Sequence, residues 1–422
     1  MSSHLSRGAI VTVIAGTCCL AFAAIIVLAT RAGPAPKRGD GASVVVGPAD
    51  DASAARALAA AVRITPTSGT TDLAPGAPVV VQTRAGRLTK VRVTANTGAV
   101  IAGSSSPTHK TWRSTDALAY GTTYRVAATV AGPNRAHAEL MSTFHTVAPA
   151  TTVTASMFPS EGLSVGVGQP VVIRFNHYIS SPAARAAVLS HFNVLMSEPV
   201  LGGWHWFSNN ELHFRPQSYW PSNDKITVTW DLRGWDAGDG MWGDGDGRVN
   251  FSIGNARVSY ANLETHRMTV TENGRVLAVY PISGGKPTDP TMNGVHLVLD
   301  RSSVVHMTSA SNGVPASSPD SYDELVYWDV HISDSGEYVH AAPWSTDSQG
   351  VQNVSHGCIN LSDANARSFF AFSRVGDIVL VGGGPRPPEV GDHGVMDWDT
   401  AWNEFTPANA ILNVPSGISF VH

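Results

Sequence analysis

"HAAPWSTDSQGVQNVSHGCINLS" runs from His340 to Ser362, and its last nine residues, from Val354, hold Cys358. The only other cysteines are Cys18 and Cys19, near the N-terminus. Cys358 therefore cannot form a disulfide within its own region, and it belongs to no cysteine-rich metal site. A thiol is a weak nucleophile until a neighbouring base or positive field removes its proton. Two histidines offer that help. His356 lies two residues before Cys358, which on an extended chain puts both side chains on one face. His340 lies eighteen residues upstream. Spacing alone does not choose between them. Gly357 lets a substrate approach the backbone, and the amides of Gly357 and Cys358 can point at a developing oxyanion. Asn360 offers an orienting amide.

Working outward, strands surround this stretch. "RMTVTENGRVLAVY" reads as two strands joined at Asn273-Gly274. "GVHLVLD", "DELVYWDVHIS" and "GEYVHAA" supply more. One helix follows the cysteine, with Ser362 as N-cap and Asp363 in the first turn. Gly376 is expected to close it before the strand "DIVLV".

The 422-residue chain has a net charge of −5, only 14 % charged residues, 40 glycines and 26 prolines. This composition suits a mainly β protein with many turns and several domains. It supplies no basic stripe for nucleic acid. The uncharged stretch Ala9 to Thr30 is long enough for a transmembrane helix. It reads as a membrane anchor, with cleavage as a signal segment left open, and implies export of the rest. Residues 32–60 are small, Pro/Gly-rich and weakly patterned, and read as a linker.

Two diverged copies follow. "APGAPVVVQT" (Ala74 to Thr83) parallels "GVGQPVVIRF" (Gly166 to Phe175), and "TYRVAATVAG" (Thr123 to Gly132) parallels "KITVTWDLRG" (Lys225 to Gly234). Alternating strands at this spacing fit immunoglobulin-like sandwiches. Trp112, Tyr124, Trp206, Phe214 and Trp230 read as their core. "DAGDGMWGDGDGR" (Asp236 to Arg248) lacks the bidentate glutamate of a calcium loop and reads as a hairpin. In the C-terminal tail, Trp398, Trp402 and Phe405 recur at near-helical spacing, which suggests an amphipathic piece packed on the catalytic domain.

The stretch from His340 to Asn360 resembles the signature of bacterial L,D-transpeptidases: a histidine, a short spacer, then Ser-His-Gly-Cys-hydrophobic-Asn. "GGKPTDPTMNGVH" is similar to that family's entry into its catalytic domain. The anchor and two immunoglobulin-like domains resemble the mycobacterial branch. The resemblance implies a mainly β chain divided as residues 1–31 (anchor), 32–60 (linker), 61–149 and 150–254 (immunoglobulin-like domains), 255–382 (catalytic domain) and 383–422 (tail). It implies a peptidoglycan cross-linker working at the extracytoplasmic face of the cell envelope. Cys358 would be the nucleophile and His340 the base, held by the Ala341 carbonyl. His356 and Gly357 would complete the catalytic group. Tyr322, Met307, Trp344, Ser355 and Asn360 would line or order the substrate site. The donor would be a tetrapeptide stem and the acceptor the side-chain amine of a second stem. β-Lactams, carbapenems in particular, would inhibit. No cofactor or metal is needed, since the site carries its own nucleophile and base. Two alternatives stay open: an L,D-carboxypeptidase that gives the thioester to water, and a non-catalytic wall-binding protein.

Overall fold

The computed structural model describes the backbone of residues 43–45, and then residues 52–312, 315, 317–318, 321–389 and 391–406. The apolar segment Ala9 to Thr30 lies outside these. Among the described residues no helix is long and apolar enough to cross a membrane.

The chain is mainly β with few helices. Its first apolar cluster lies between a five-stranded sheet, built around Arg87–Ala95, Thr123–Ala131 and His137–His145, and a four-stranded sheet around Val80–Thr83 and Thr111–Ser114. Period-two alternation explains the fit: Tyr124, Val126, Ala128 and Val130 are all buried, while Arg125 between the first two is exposed. A second cluster lies between sheets built around Val171–Phe175 with Glu211–Pro216 and Lys225–Asp231 with Asp246–Ile253. Trp112, Tyr124 and Phe214 are buried as expected, while Trp206 and Trp230 are only partly so. The Asp/Gly-rich stretch forms a short hairpin, Asp236–Gly238 against Met241–Gly243.

The linker reading needs a correction. Ala52–Ala60 is an α-helix, and its Ala55 and Leu58 are buried. That three-residue spacing is one face of a helix, and Leu58 closes the edge of the first cluster. The alanine-rich composition that looked structureless is also the composition with the highest helix propensity.

The C-terminal region holds two further sheets. The first contains β1 (Arg257–Asn262), β2 (Arg267–Glu272), β3 (Arg275–Pro281) and β4 (Gly294–Leu297). The second contains β5 (Asp300–Thr308), β6 (Asp323–His331), β7 (Tyr338–Ala341) and β8 (Ile359–Leu361), in that order. Helix α1 (Asp363–Phe372) and strand β9 (Ile378–Gly382) follow, and β9 pairs between β1 and β4 in the first sheet. Asn273 and Gly274 both have positive φ, 49° and 77°, as the tight hairpin requires. Ser362 caps α1 by accepting the amide of Asn365. The helix ends at Phe372, earlier than expected. Gly376 instead turns at φ 83°, where a Cβ would lie 2.5 Å from that of Gln169. That close approach joins the catalytic region to the second sandwich. Gly168 donates its amide to the Gly376 carbonyl at 2.9 Å. Leu297 and Ile378 belong to the same buried cluster as Val165 and Val167.

The tail also departs from expectation. It does pack on the catalytic region: Asp399 accepts the Val295 amide at 2.8 Å, Asp392 accepts the Asp334 and Ser335 amides, and Gly394 accepts the Leu297 amide. Most of its aromatic surface, however, wraps Arg215 of the second sandwich. The guanidinium stacks over Trp398, Trp402 and Phe405 at 4.6, 5.1 and 4.2 Å. A planar cation gains from aromatic faces where water is excluded. Beside it, His213 is buried between Asp397 of the tail, at 2.9 Å, and Glu211, at 2.8 Å. Burial alone would lower the pKa of His213, but the two carboxylates outweigh it and raise it.

Replacing His213 by alanine leaves Glu211 and Asp397 without their shared donor. Loss of one partner from such a buried set costs about 3–5 kcal/mol, measurable by denaturant unfolding at neutral pH. A raised histidine pKa stabilises fully below the ordinary value of about 6.5 and loses that effect as pH rises through the folded value. Wild-type stability is therefore expected to fall from about pH 6.5 upward, continuing through the region near 9 where His393 titrates. The His213→Ala variant should show a shallower fall.

Candidate active site

Strand β7 is the base of the site. It pairs in parallel with β8, setting His340 opposite Asn360 and Val339 opposite Ile359. Val339 and Ile359 face the core, so His340 and Asn360 share the other face. The residues before β8 are not extended. Gly357 has φ 125°, a conformation that side chains beyond glycine rarely adopt. The turn is tied by Ser355, whose hydroxyl donates to the Cys358 carbonyl at 2.5 Å and accepts the Gly357 amide at 3.2 Å. A second anchor comes from the Gly284-Gly285 loop: the Ser355 amide donates to Gly284 and the Lys286 amide to Ser355.

This turn changes two expectations. His356 does not share a strand face with Cys358; it is exposed, with its ring 5.2 Å from that of Tyr322. The Gly357 amide is already occupied by Ser355, which removes it as the first oxyanion donor. Ser355, buried beneath the turn and in the cleft lining, has the ordering place expected of it.

Cys358 and His340 both line one cleft of about 790 Å³, together with Met307, Tyr322, Trp344 and Asn360. That volume suits a bound small molecule or peptide segment. His340 is only 4 % exposed. Its Nδ1 donates to the Ala341 carbonyl at 2.9 Å. A carbonyl only accepts, so the proton sits on Nδ1 and Nε2 keeps its lone pair. Trp344, largely exposed, holds its ring 6.3 Å from that of His340. Asn360 donates to the Ser345 hydroxyl at 3.1 Å, and its buried Oδ1 has no partner. The sequence-predicted residues are thus gathered in one place, with Ser355 in the cleft lining, Gly357 behind it and His356 at its rim.

Burial governs the charges. It drives the His340 pKa down to about 4. It pushes the Cys358 thiol up to about 12, and the nearby Glu337 and Asp329 carboxylates add to that rise. The resting pair is a neutral thiol and a neutral imidazole. Sequence reading missed three charged neighbours. Glu337 is buried, accepts the Met292 amide at 2.9 Å and pairs with Arg386 at 2.9 Å. Asp329 is 1 % exposed. The available signal was an acidic residue inside an otherwise apolar strand, as in "VYWDVH".

Residues 256–381 match the family model for the L,D-transpeptidase catalytic domain, and residues 70–236 match that for a bacterial Ig domain. Together they define an acyltransferase that carries an Ig-like region. L,D-transpeptidase 2 of Mycobacterium tuberculosis is 37 % identical over 347 residues, 82 % of this chain and 83 % of the relative. L,D-transpeptidase 5 of the same species is 32 % identical over 354 residues, 82 % and 76 % of the two chains. A solved L,D-transpeptidase in complex with imipenem is 35 % identical over 56 % of this chain and all of its own, with a TM-score of 0.48. The chain belongs to the L,D-transpeptidase family.

A half-buried thiol whose pKa is held up should alkylate slowly even though reagent can reach it. Iodoacetamide modification of Cys358, followed by intact mass, is expected to lag free cysteine at about pH 8 and to climb only under strongly alkaline conditions. Rapid modification at neutral pH would mean that the ion pair already exists at rest.

Proposed function

We propose that the protein forms 3→3 cross-links between peptidoglycan stem peptides through a thioester on Cys358. The reading is supported by one observation above the rest: a buried histidine, its Nδ1 tied to a backbone carbonyl, lines the same cleft as the thiol. His340 Nε2 takes the Sγ proton as sulfur attacks the carbonyl of the donor's third stem residue. The D-alanine nitrogen then takes that proton from the imidazolium, and the C–N bond breaks. The acceptor amine attacks the thioester. Its proton passes by way of His340 to the departing sulfur. Splitting acyl transfer into two steps suits a nucleophile that is also a good leaving group. With the Gly357 amide occupied, the Cys358 amide and the Tyr322 hydroxyl are the remaining oxyanion donors in this scheme. Met307 and Trp344 border the stem peptide.

The same chemistry extends to inhibitors. A β-lactam offers a strained amide to the thiol, and opening the ring leaves the drug attached as a thioester. Work on cell wall requires the extracytoplasmic side of the membrane, with Ala9 to Thr30 as the anchor.

Incubation with a purified disaccharide-tetrapeptide should give a cross-linked dimer by mass spectrometry. Tripeptide monomer alone would mean that water is the acceptor, and an unchanged substrate would sink the enzymatic reading. Cys358→Ala should abolish dimer and carbapenem adduct alike. His340→Ala should slow acylation by roughly 10²- to 10⁴-fold, the usual effect of losing a general base. A larger loss in folded His356→Ala would reverse the assignment.

A further inference from the structure

Asp329 sits where the pairing of β6 and β7 is irregular. His331 pairs with Tyr338 and Val330 with Val339; the two residues before Val330, Trp328 and Asp329, then stand against the single residue His340. Beyond that point the register shifts, with Tyr327 opposite Ala341. Trp328 is the extra residue, held at φ 58°, a costly conformation for a bulky side chain. Bulges of this kind re-aim side chains beside active sites.

The face that Asp329 takes follows from its neighbours. The Trp328 ring lies on the α1 side, 5.6 Å from Phe370, and its Nε1 donates to Asp363 at 3.1 Å. Val330 is in the core on that same side. Alternation gives Asp329 the opposite face, shared with His331 and Tyr338, whose rings stack at 4.4 Å. That is also the face of His340. On it, β5 presents only Ser302 opposite Asp329. From β7 come Tyr338 and His340, and Cys358 lies beyond them. His331 on β6 is paired with Asp300 at 2.9 Å. Among the described residues no cation therefore meets Asp329. It is 1 % exposed, and among the described residues neither carboxylate oxygen has a hydrogen-bond partner on another residue; only its own backbone amide lies near enough to hold its pKa down a little. A buried, unpaired carboxylate is costly.

We propose that Asp329 is a positioning residue for the transfer reaction: its carboxylate stabilises the imidazolium that His340 becomes when it takes the proton of Cys358. The inference rests on the cysteine–histidine reading of the site. Neighbouring strands lie about 4.8 Å apart. His340 is one strand from Asp329 and Cys358 is two. A negative charge on Asp329 also holds the thiol pKa up; by this strand spacing the imidazolium stands nearer to it than the thiolate, so in this proposal the attraction exceeds the repulsion. In the resting state the carboxylate lacks a cationic partner among the described residues, and proton transfer creates one. Burial pushes the Asp329 pKa up to about 7, so this support switches on as pH rises through neutrality.

The test is the rate of acylation of the full chain by imipenem, followed by intact mass between about pH 5 and 9, for wild type and Asp329→Asn. The wild-type rate should rise through an inflection near 7. Asp329→Asn should lack that inflection and fall roughly tenfold or more below wild type at the alkaline end, the effect of one opposite charge a strand away. The two should converge at the acidic end, where the wild-type carboxyl is neutral. Thermal unfolding at alkaline pH should show Asp329→Asn as stable as wild type or more so, because an unpaired buried charge is gone. Equal rates at every pH, or a deficit that does not vary with pH, would overturn the proposal. Normal loading of wild type, with no adduct in Cys358→Ala, would leave the cysteine reading intact in either case. Failure of wild type to load at Cys358 would sink both.

Discussion

Three residues of parallel strand hold this site together. Pairing of Val339–Ala341 with Ile359–Leu361 buries an apolar layer on one side and leaves His340 and Asn360 side by side on the other. The turn carrying Cys358 has freedom only before that pairing begins, and Ser355 and Gly357 use it up. Without the strand pairing, base and nucleophile would be two distant residues on a loop-rich chain. With it, neither can move away while the core stays packed.

The same packing sets the chemistry. Hiding His340 from water strips it of its charge, and the apolar surroundings of the half-buried Cys358, with two carboxylates nearby, keep the thiol protonated. A neutral pair resists needless oxidation, since the reactive species is the thiolate. It also means that charge separates only when a substrate carbonyl is there to receive the sulfur. The Ala341 carbonyl fixes which imidazole nitrogen is bare, and an aliphatic residue does that as well as any other because the backbone supplies the acceptor.

The second sandwich is joined to the catalytic region through a continuous core rather than a flexible tether. Leu297 and Ile378 pack among its residues, and the tail crosses back over Arg215 and His213. A charged thread also runs toward the cleft: His393 pairs with Glu211 on the sandwich and with Asp334 on the loop before β7. Asp334 borders the cleft. The orientation of the cleft wall thus depends on ion pairs contributed from three separate parts of the sequence.

Local rules made much of this legible from sequence alone. Ser362 caps a helix, Asn273-Gly274 closes a hairpin and strands such as Thr123–Ala131 alternate, because each depends on residues a few positions apart. The cluster from Ser355 to Asn360 was visible for the same reason, as was His340, by its spacing. What the sequence could not decide were the quantities that arise only when distant segments meet. Ala52–Ala60 looked like a linker until Leu58 had a sheet to cover. The tail looked like a partner for the catalytic region, and its aromatic residues turned to a buried arginine nearly two hundred positions earlier. Spacing did not choose His340 over His356; the family resemblance did, and burial with a carbonyl acceptor supplies the physical reason. Asp329 reads as an ordinary polar residue in a strand. Only a one-residue bulge in a long-range pairing sets it opposite the histidine, and only the exclusion of water gives its charge any reach.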